Sequence, residues 1–441
     1  MTAHRDGTRH SARGHGLFRD RVNADALDTV EKLRDAGYDA YLVGGCVRDL
    51  LLGKSPKDFD VATNATPEEV RDLFRRSRLI GRRFQIVHVR YGRHIIEVST
   101  FRKGQAAPED GEDDDRIHAD SGLILRDNVW GSLEEDATRR DFTVNALYYD
   151  PVDEELRDFV GGIADLAAGR LRFIGDTATR LREDPVRILR AVRFHAKLGF
   201  ALDPSIERAL PDCARRLGEI PPARLFDEVC KLFESGVAQR IWGYLAPTPL
   251  RRALFPTVPP NDPLIDAAMA STDARVQEDK PVTPGFLLAV LFWRDYTAHC
   301  AGSDSGRGGS RVSADDRAHA ASAALGAAHD VITIPRRFSQ FVRDVWSLQP
   351  KLEAQRPKSA RIALEHPRFR AGYDFLLLRA ASGEPLEEQA DWWTHLQTLS
   401  GEARTAAIDA LTEEAAPDAK KKRRRRRRKP RGAGVPSDDL A

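Results

Sequence analysis

Cysteine is scarce: Cys46, Cys213, Cys230 and Cys300 lie far apart with no C-x-x-C spacing. That argues against a zinc site or a disulfide framework and suits a reducing cytoplasm. No run approaches the ~18 apolar residues needed to span a bilayer. The first twenty residues, MTAHRDGTRHSARGHGLFRD, lack the apolar core of a signal peptide. These absences point away from membranes and toward the cytoplasm. Aromatics make up only 7% of the chain against 31% charged residues, the balance of a well-solvated protein with roughly two to four domain cores. The histidines are scattered, and the His329-Asp330 dipeptide has no further His and Asp at metal-ligand spacing. It reads as a solvated surface pair.

The formal net charge of +2 hides an asymmetry. Lys420–Lys429 is ten basic residues in a row and Arg431 makes eleven, so the rest of the chain stands at −9. An acidic body with an intensely basic tail points to a polyanionic partner. Like charges keep such a run extended. A solubility tail or a localisation signal is the alternative. On single-stranded nucleic acid each neutralised phosphate contributes about −0.7 to the salt slope. The tail would therefore contact phosphates without reading sequence.

Strand and helix signals alternate from about Ala24 to Ile174. Thr66-Pro67 opens a capped helix. Ile86–Tyr91 and His94–Thr100 form a hairpin, and Ser132–Glu135 is a capping box for a helix running to about Arg140. Ala146–Tyr149 and Leu156–Val160 make another strand pair, and Ala106–Gly122, acidic and Pro/Gly-bearing, is expected to be a mobile loop. Beyond Arg180 strand signals vanish. Helical patterns follow at Pro185–Lys197, Pro222–Glu234, Thr283–Trp293, Arg336–Leu348 and Ala360–Ala380, with a loop at Ala301–Asp316.

The chemistry concentrates in Tyr41–Thr63, YLVGGCVRDLLLGKSPKDFDVAT. Ala40–Val43 reads as a strand ending in a turn at Gly44-Gly45, Val47–Leu52 as a short helix stopped by Gly53, and Phe59–Ala62 as a second strand. Residues two apart on a strand share a face. Asp58 and Asp60 then present two carboxylates to one spot while Phe59 and Val61 face the core. Paired carboxylates repel unless a cation lies between them, and Mg²⁺ takes few carboxylates and completes its shell with water and phosphate oxygens. Gly44 and Gly45 bare backbone N–H groups at a helix start, a seat for phosphate, and Arg48 adds a charged fork. A lone D-x-D or G-G is ordinarily a loop or a turn; the ordered combination between strands is a metal–nucleotide site.

Two further clusters follow. Arg139-Arg140-Asp141-Phe142-Thr143-Val144-Asn145 leads from the capped helix into a strand. Its arginines can reach phosphate or ribose oxygens, and Asp141 can support the metal site or accept from a ribose hydroxyl. In EDPVRILRAVRF, Asp184 fits an N-cap with Pro185 at N1. Arg187, Arg190 and Arg193 follow at every third residue and drift by roughly 60° per step. Ile188, Val192 and Phe194 should be buried. An Asp–Arg pair offers acceptor and donor to a base edge.

GGCVRD, DFD, RRDFTVNA and EDPVRILRAVRF, in this order, resemble the class II nucleotidyltransferases of the polymerase β superfamily, which holds the CCA-adding enzymes and the bacterial poly(A) polymerases. The resemblance spans about Ala40 to Phe200 and continues through IPPARLF and LEHPRFRAGYDFLLLRA. Leu79–Val89, LIGRRFQIVHV, resembles the G-R/K-R/K-F-x-aliphatic signature of the poly(A) branch, where CCA-adding enzymes carry Gly in place of Gln85.

The resemblance implies an α+β fold: a polymerase β-like head with a small mixed sheet and helices, then an all-helical neck and body and a disordered basic tail. The expected division is 1–20 disordered, 21–175 head, 176–240 neck with the base-recognition helix, 241–415 RNA-binding body and 416–441 tail. It implies template-independent addition of AMP from ATP to RNA 3′ ends, with two Mg²⁺ ions (Mn²⁺ as an alternative) on Asp58 and Asp60. Gly44, Gly45 and Arg48 would hold triphosphate, Arg140 the nucleotide, and Asp184 and Arg187 the base, supported by Arg190 and Arg193. Asp141 matches an acidic position usually counted as catalytic. Glu97, set among apolar residues where an unpaired acid is costly, is the rival third carboxylate. A CCA-adding enzyme acting on tRNA and a noncatalytic RNA-binding protein on the same fold are the alternatives. RNA-decay or RNA-chaperone partners are left open.

Overall fold

The computed structural model describes residues 7–81, 85–103, 116–118, 124–127, 129–304 and 312–414. They form two compact units divided after Pro256. In the first, β1 (Thr8–Ser11), β2 (Ala40–Val43), β3 (Asp60–Thr63), β4 (Ser77–Ile80), β5 (Ile86–Tyr91) and β6 (His94–Thr100) precede a separate hairpin of β7 (Arg116–His118) and β8 (Ile124–Asp127). β9 (Leu147–Asp150) and β10 (Glu155–Asp158) follow. One mixed sheet runs β1-β10-β9-β2-β3-β6-β5-β4, with β3 and β6 parallel and its other neighbours antiparallel.

Strand alternation decides what each face carries. Val61, Val87, Val89, Ile96 and Val98 pack with Val30 and Leu33 of helix Ala24–Asp35 and Val70 of helix Pro67–Leu73. On the opposite face Tyr41, Val43 and Ala62 pack with Ala137 and Tyr148. That second cover stops short of β5 and β6, whose His88, Ile95 and Glu97 remain partly or fully exposed. Ser132 and Glu135 close a capping box that fixes the start of helix Leu133–Arg139, a device worth about 1 kcal/mol. The first unit then continues through helices that include Thr177–Glu183, Arg187–Leu198 and Pro222–Phe233. The described part of the second unit is helical, with a core built on Leu348, Leu352, Leu376 and Trp393.

Several expectations are corrected. Thr8–Ser11 is no disordered segment: it pairs with β10, and Ala12 and Leu17 behind it are fully buried. Backbone pairing and two apolar anchors order a stretch whose composition is polar. Of Ala106–Gly122, Arg116–His118 is strand, and the remainder lies outside the described residues. The second strand begins at Asp60 rather than Phe59 and runs to Thr63. Residues 201–202 form a short parallel pairing with 170–171, so strand does not end at Arg180. Ala360–Ala380 is two helices, Pro357–Glu365 and Phe369–Ala381, because Pro367 disfavours helical backbone at His366. Helices Trp293–Asp304 and Ala314–His329 take up both ends of the expected 301–316 loop. The basic tail, 415–441, lies outside the described residues.

Candidate active site

Gly44 stands at φ 79° between β2 and helix Gly45–Leu51, a backbone region that L side chains rarely adopt. A Cβ there would lie 3.7 Å from Arg140 Nη1 and 3.8 Å from Asp60 Oδ2. The bare turn therefore lies between a guanidinium and a carboxylate. Asp60 opens β3 beside Glu97 of β6, and Asp58 precedes it on the exposed approach while Phe59 and Val61 are buried as expected. Burial, Glu97 and Asp58 push the Asp60 carboxyl up to about 6, against the pull of Arg140.

Arg48 is buried at 3% exposure. Its Nη1 donates to Asn145 Oδ1 at 2.6 Å, its Nε and Nη2 donate to Asp49 Oδ1 at 2.9 and 2.7 Å, and it lies over the Phe194 ring. Arg140 is aimed by Asp136 and Tyr148. Its Nη2 donates to Asp136 Oδ2 at 2.9 Å and its Nε to the Tyr148 hydroxyl at 2.8 Å, while that hydroxyl donates to Asp136 at 2.6 Å. Asp136 also accepts from Arg139 and from the Arg102 backbone N–H. Burial works against its charge, yet Arg140 and Arg139 hold its carboxyl well below the usual carboxylate range. Asp136 belongs to the capping-box helix, and its i+3 and i+4 spacing to Arg139 and Arg140 was the sequence signal that could have found it.

Asp141 is directed elsewhere. Oδ2 accepts from Arg190 Nε and Nη2, and Oδ1 accepts from the Phe142 N–H and Asn145 Nδ2. Glu97 is not embedded among apolar groups: Ile96 and Val98 are buried and its own side chain is half exposed, 3.4 Å from His88 Nε2. Strand alternation turns it toward the Asp60 side of the sheet.

Asp184 is no N-cap. It ends helix Thr177–Glu183, and helix Arg187–Leu198 begins after Val186 with no side-chain cap. The kink lets Arg224 Nη2 donate to Asp184 Oδ2 at 2.6 Å, and Asp184 Oδ1 is buried with no hydrogen-bond partner. Arg187 Nη1 donates to Glu183 and to the Arg180 carbonyl, both at 2.7 Å. Arg180 in turn donates to the carbonyls of Arg139 and Arg140, bridging the two arginine clusters. Arg193 lies beside Phe194 and has no ion pair among the described residues. Ile188 and Val192 are buried, but Phe194 is only half-buried, with Arg48 and Arg193 near its ring and Phe142 in a T-shaped contact. The structure thus gathers Gly44, Asp60 and Arg140 at one spot and sets Arg187, Arg190 and Arg193 on one helix that begins just after Asp184. Asp136, Tyr148, Asn145, Arg180 and Arg224 are the partners that sequence reasoning missed. Of the Leu79–Val89 signature, residues 82–84 lie outside the described residues, and the Gln85 carbonyl accepts from Arg102.

Three family models match the chain. The Poly A polymerase head domain matches residues 40–172, the probable RNA and SrmB-binding site of polymerase A 199–260, and the polymerase A arginine-rich C-terminus 311–430. Poly(A) polymerase I of Escherichia coli O6:H1 is 43% identical over 419 residues, 91% of this chain and 88% of its own. The CCA-adding enzyme of Geobacillus stearothermophilus is 39% identical over 230 residues, 52% of this chain and 54% of its own. The crystal structure of the Bacillus stearothermophilus CCA-adding enzyme in complex with CTP superposes with a TM-score of 0.55 at 25% identity, over 88% of this chain and 90% of its own. Similarity to the CCA-adding relative covers about half of the chain, whereas that to the poly(A) polymerase runs nearly end to end. The chain belongs to the poly(A) polymerase I family of nucleotidyltransferases.

Proposed function

We propose that this enzyme adds AMP from ATP to RNA 3′ ends without a template, releasing pyrophosphate, in bacterial RNA processing and decay in the cytoplasm. The similarity to poly(A) polymerase I along 91% of the chain carries the reading, and the Asp60–Gly44–Arg140 cluster gives it a chemistry. No helix among the described residues is long and apolar enough to cross a membrane.

The donor set fits divalent metal. An acid raised to about 6 by burial and two neighbouring carboxylates is relieved by a cation. Among the described residues no three His, Cys, Asp or Glu side chains are grouped to hold a metal, so the proposed site rests on the Asp58–Asp60 carboxylates and on Mg²⁺ being an ion that keeps waters and takes phosphate oxygens. Asp58 and Asp60 would hold two Mg²⁺ ions, with Mn²⁺ as the alternative. Glu97 is the better third carboxylate, since both oxygens of Asp141 are already engaged. When bound, the ions supply charge neutralisation at the triphosphate and a more acidic 3′-hydroxyl.

The chain's own residues do the positioning. Gly44 and Gly45 keep the backbone clear for phosphates, and Arg140 meets the triphosphate from a direction set by Asp136. Arg48 supports that wall through Asn145. Asp184 Oδ1, buried and unpartnered, accepts from the exocyclic amine of the base, and Arg187 donates to its neighbouring ring nitrogen, with Arg190 and Arg193 behind them. Adenine and cytosine both present a donor beside an acceptor, so this pair alone does not separate them. The arginine-rich tail adds phosphate contacts.

Purified protein with Mg²⁺, an unstructured RNA and ATP should yield a long ladder. If CTP were used and extension stopped after a few residues on a tRNA lacking CCA, the CCA-adding reading would replace this one. RNA binding without incorporation would support the noncatalytic one.

A further inference from the structure

We propose that the open face of β4, β5 and β6 is a groove that seats the last nucleotides of the acceptor RNA, continuing the carboxylate site sideways across the sheet. The inference rests on the transferase reading above and adds where the acceptor lies.

Register carries it. Residues directly opposite in neighbouring strands point to one face. Asp60 pairs with Glu97, Glu97 with His88, and His88 with Arg78, giving one row across four strands. Strands lie ~4.8 Å apart, so the row reaches roughly 14 Å from Asp60 to Arg78. Two residues along, Arg90 pairs with Ile95 on the same face. The other side of these strands is core, with Val87, Val89, Ile96 and Val98 buried.

The exposed side has the composition of a single-strand seat. Arg78 and Arg90 are exposed and form no ion pair among the described residues. Ile95 is 44% exposed, on a strand whose neighbouring inward positions are buried. Two guanidiniums without ion pairs among the described residues, Arg78 in the row that ends on acids and Arg90 two residues along beside Ile95, match an RNA backbone leading to a metal site. Arg78 and Arg90 would contact phosphates, and Ile95 would support the terminal ribose or base. Glu97, held by His88, closes the row next to the reacting hydroxyl.

The test is equilibrium binding of a fluorescent oligoadenylate to the full chain over a salt series, for wild type and for the Arg78→Gln/Arg90→Gln double variant. Losing two phosphate contacts should make the slope of log affinity against log salt shallower by about 1.4, at about 0.7 per contact. Arg78→Lys/Arg90→Lys should restore it, which a folding defect would not. An oligoadenylate with a photoreactive 3′-terminal base should crosslink to the 86–97 peptide, less so in Ile95→Ala. An unchanged slope, or crosslinks confined to other segments, overturns the groove. AMP incorporation by wild type is read in parallel. Its absence with the slope change present would remove the transferase reading and leave the RNA groove standing.

Discussion

Asp141 and Arg190, 49 residues apart in the chain, share a single carboxylate oxygen, which accepts from Arg190 Nε at 2.9 Å and Nη2 at 2.6 Å. The pair ties the Arg139–Asp141 turn to the neck helix. Burial disfavours the charged carboxylate, but Arg190 outweighs it and holds the Asp141 carboxyl below its ordinary value. The stability it contributes is present above the ordinary carboxylate range and is lost as pH falls through the lowered value. Asp141→Asn should cost about 1–3 kcal/mol, below the ~3–5 for breaking a fully buried pair because Arg190 remains partly open to water. Urea unfolding checks this. The ATP KM should rise more than kcat falls, whereas a metal ligand would lose turnover at every Mg²⁺ concentration with stability kept.

Asp136 is buried beneath two arginines and a tyrosine. Asp136→Asn should destabilise by about 3–5 kcal/mol, because Arg139 and Arg140 lose their counter-charge. Tyr148→Phe removes a hydroxyl that both donates and accepts and should cost about 1–2 kcal/mol. Denaturant midpoints measure both. Since Arg140 would lose its aim in each case, ATP KM should rise even in the milder variant.

For Asp60 the sign is opposite to that of Asp141. Its folded value of about 6 lies above the unfolded value of 3.8, so the native state binds the extra proton. Without Mg²⁺, stability should fall as pH rises from about 4 to about 6 and stay lower above that, by a few kcal/mol at most. Asp60→Asn should abolish that slope and raise the melting temperature at neutral pH in chelator. Mg²⁺ should narrow the gap for wild type alone. A wild-type melting curve flat across this range in chelator would refute the clustered-acid description.

Arg224 fixes one oxygen of Asp184 and leaves the other for a base. Arg224→Gln should raise the ATP KM by about tenfold, the equivalent of one charge-assisted hydrogen bond, and the CTP KM by a similar factor, because both bases offer the same donor beside an acceptor. Steady-state kinetics with each nucleotide on one RNA reads both values. A KM unchanged for both nucleotides would mean that Asp184 does not touch the base.

Much of the site was legible because it is local. Gly44, Asp58 and Asp60 lie within one β-turn-helix-β unit, and although Asp58 precedes the strand it is near enough to act on the Asp60 carboxyl. The β5–β6 hairpin and the Ser132–Glu135 capping box likewise announce themselves over a few residues. What stayed hidden was long-range. Nothing in DPVRILR shows that Asp184 turns to Arg224 instead of capping its helix, because that choice is made by a helix some forty residues on. Nor does anything in RRDFTVN show that Asp141 pairs with Arg190, a residue of a later helix. Thr8–Ser11 is polar throughout and is ordered by β10, a partner no local pattern reveals. Glu97 looked buried because its neighbours are apolar, but the open face of β6 is set by where the covering helix ends.

The most direct test of the central claim is nucleotide incorporation into an end-labelled, unstructured RNA, run with Mg²⁺ and each of the four nucleotides separately, for wild type and for Asp60→Asn. The account predicts a long ladder with ATP alone from wild type, and at least a hundredfold less from Asp60→Asn, about 2.7 kcal/mol or more of lost transition-state stabilisation. Full incorporation by Asp60→Asn, or a wild-type product that takes CTP and stops after a few additions, would contradict it.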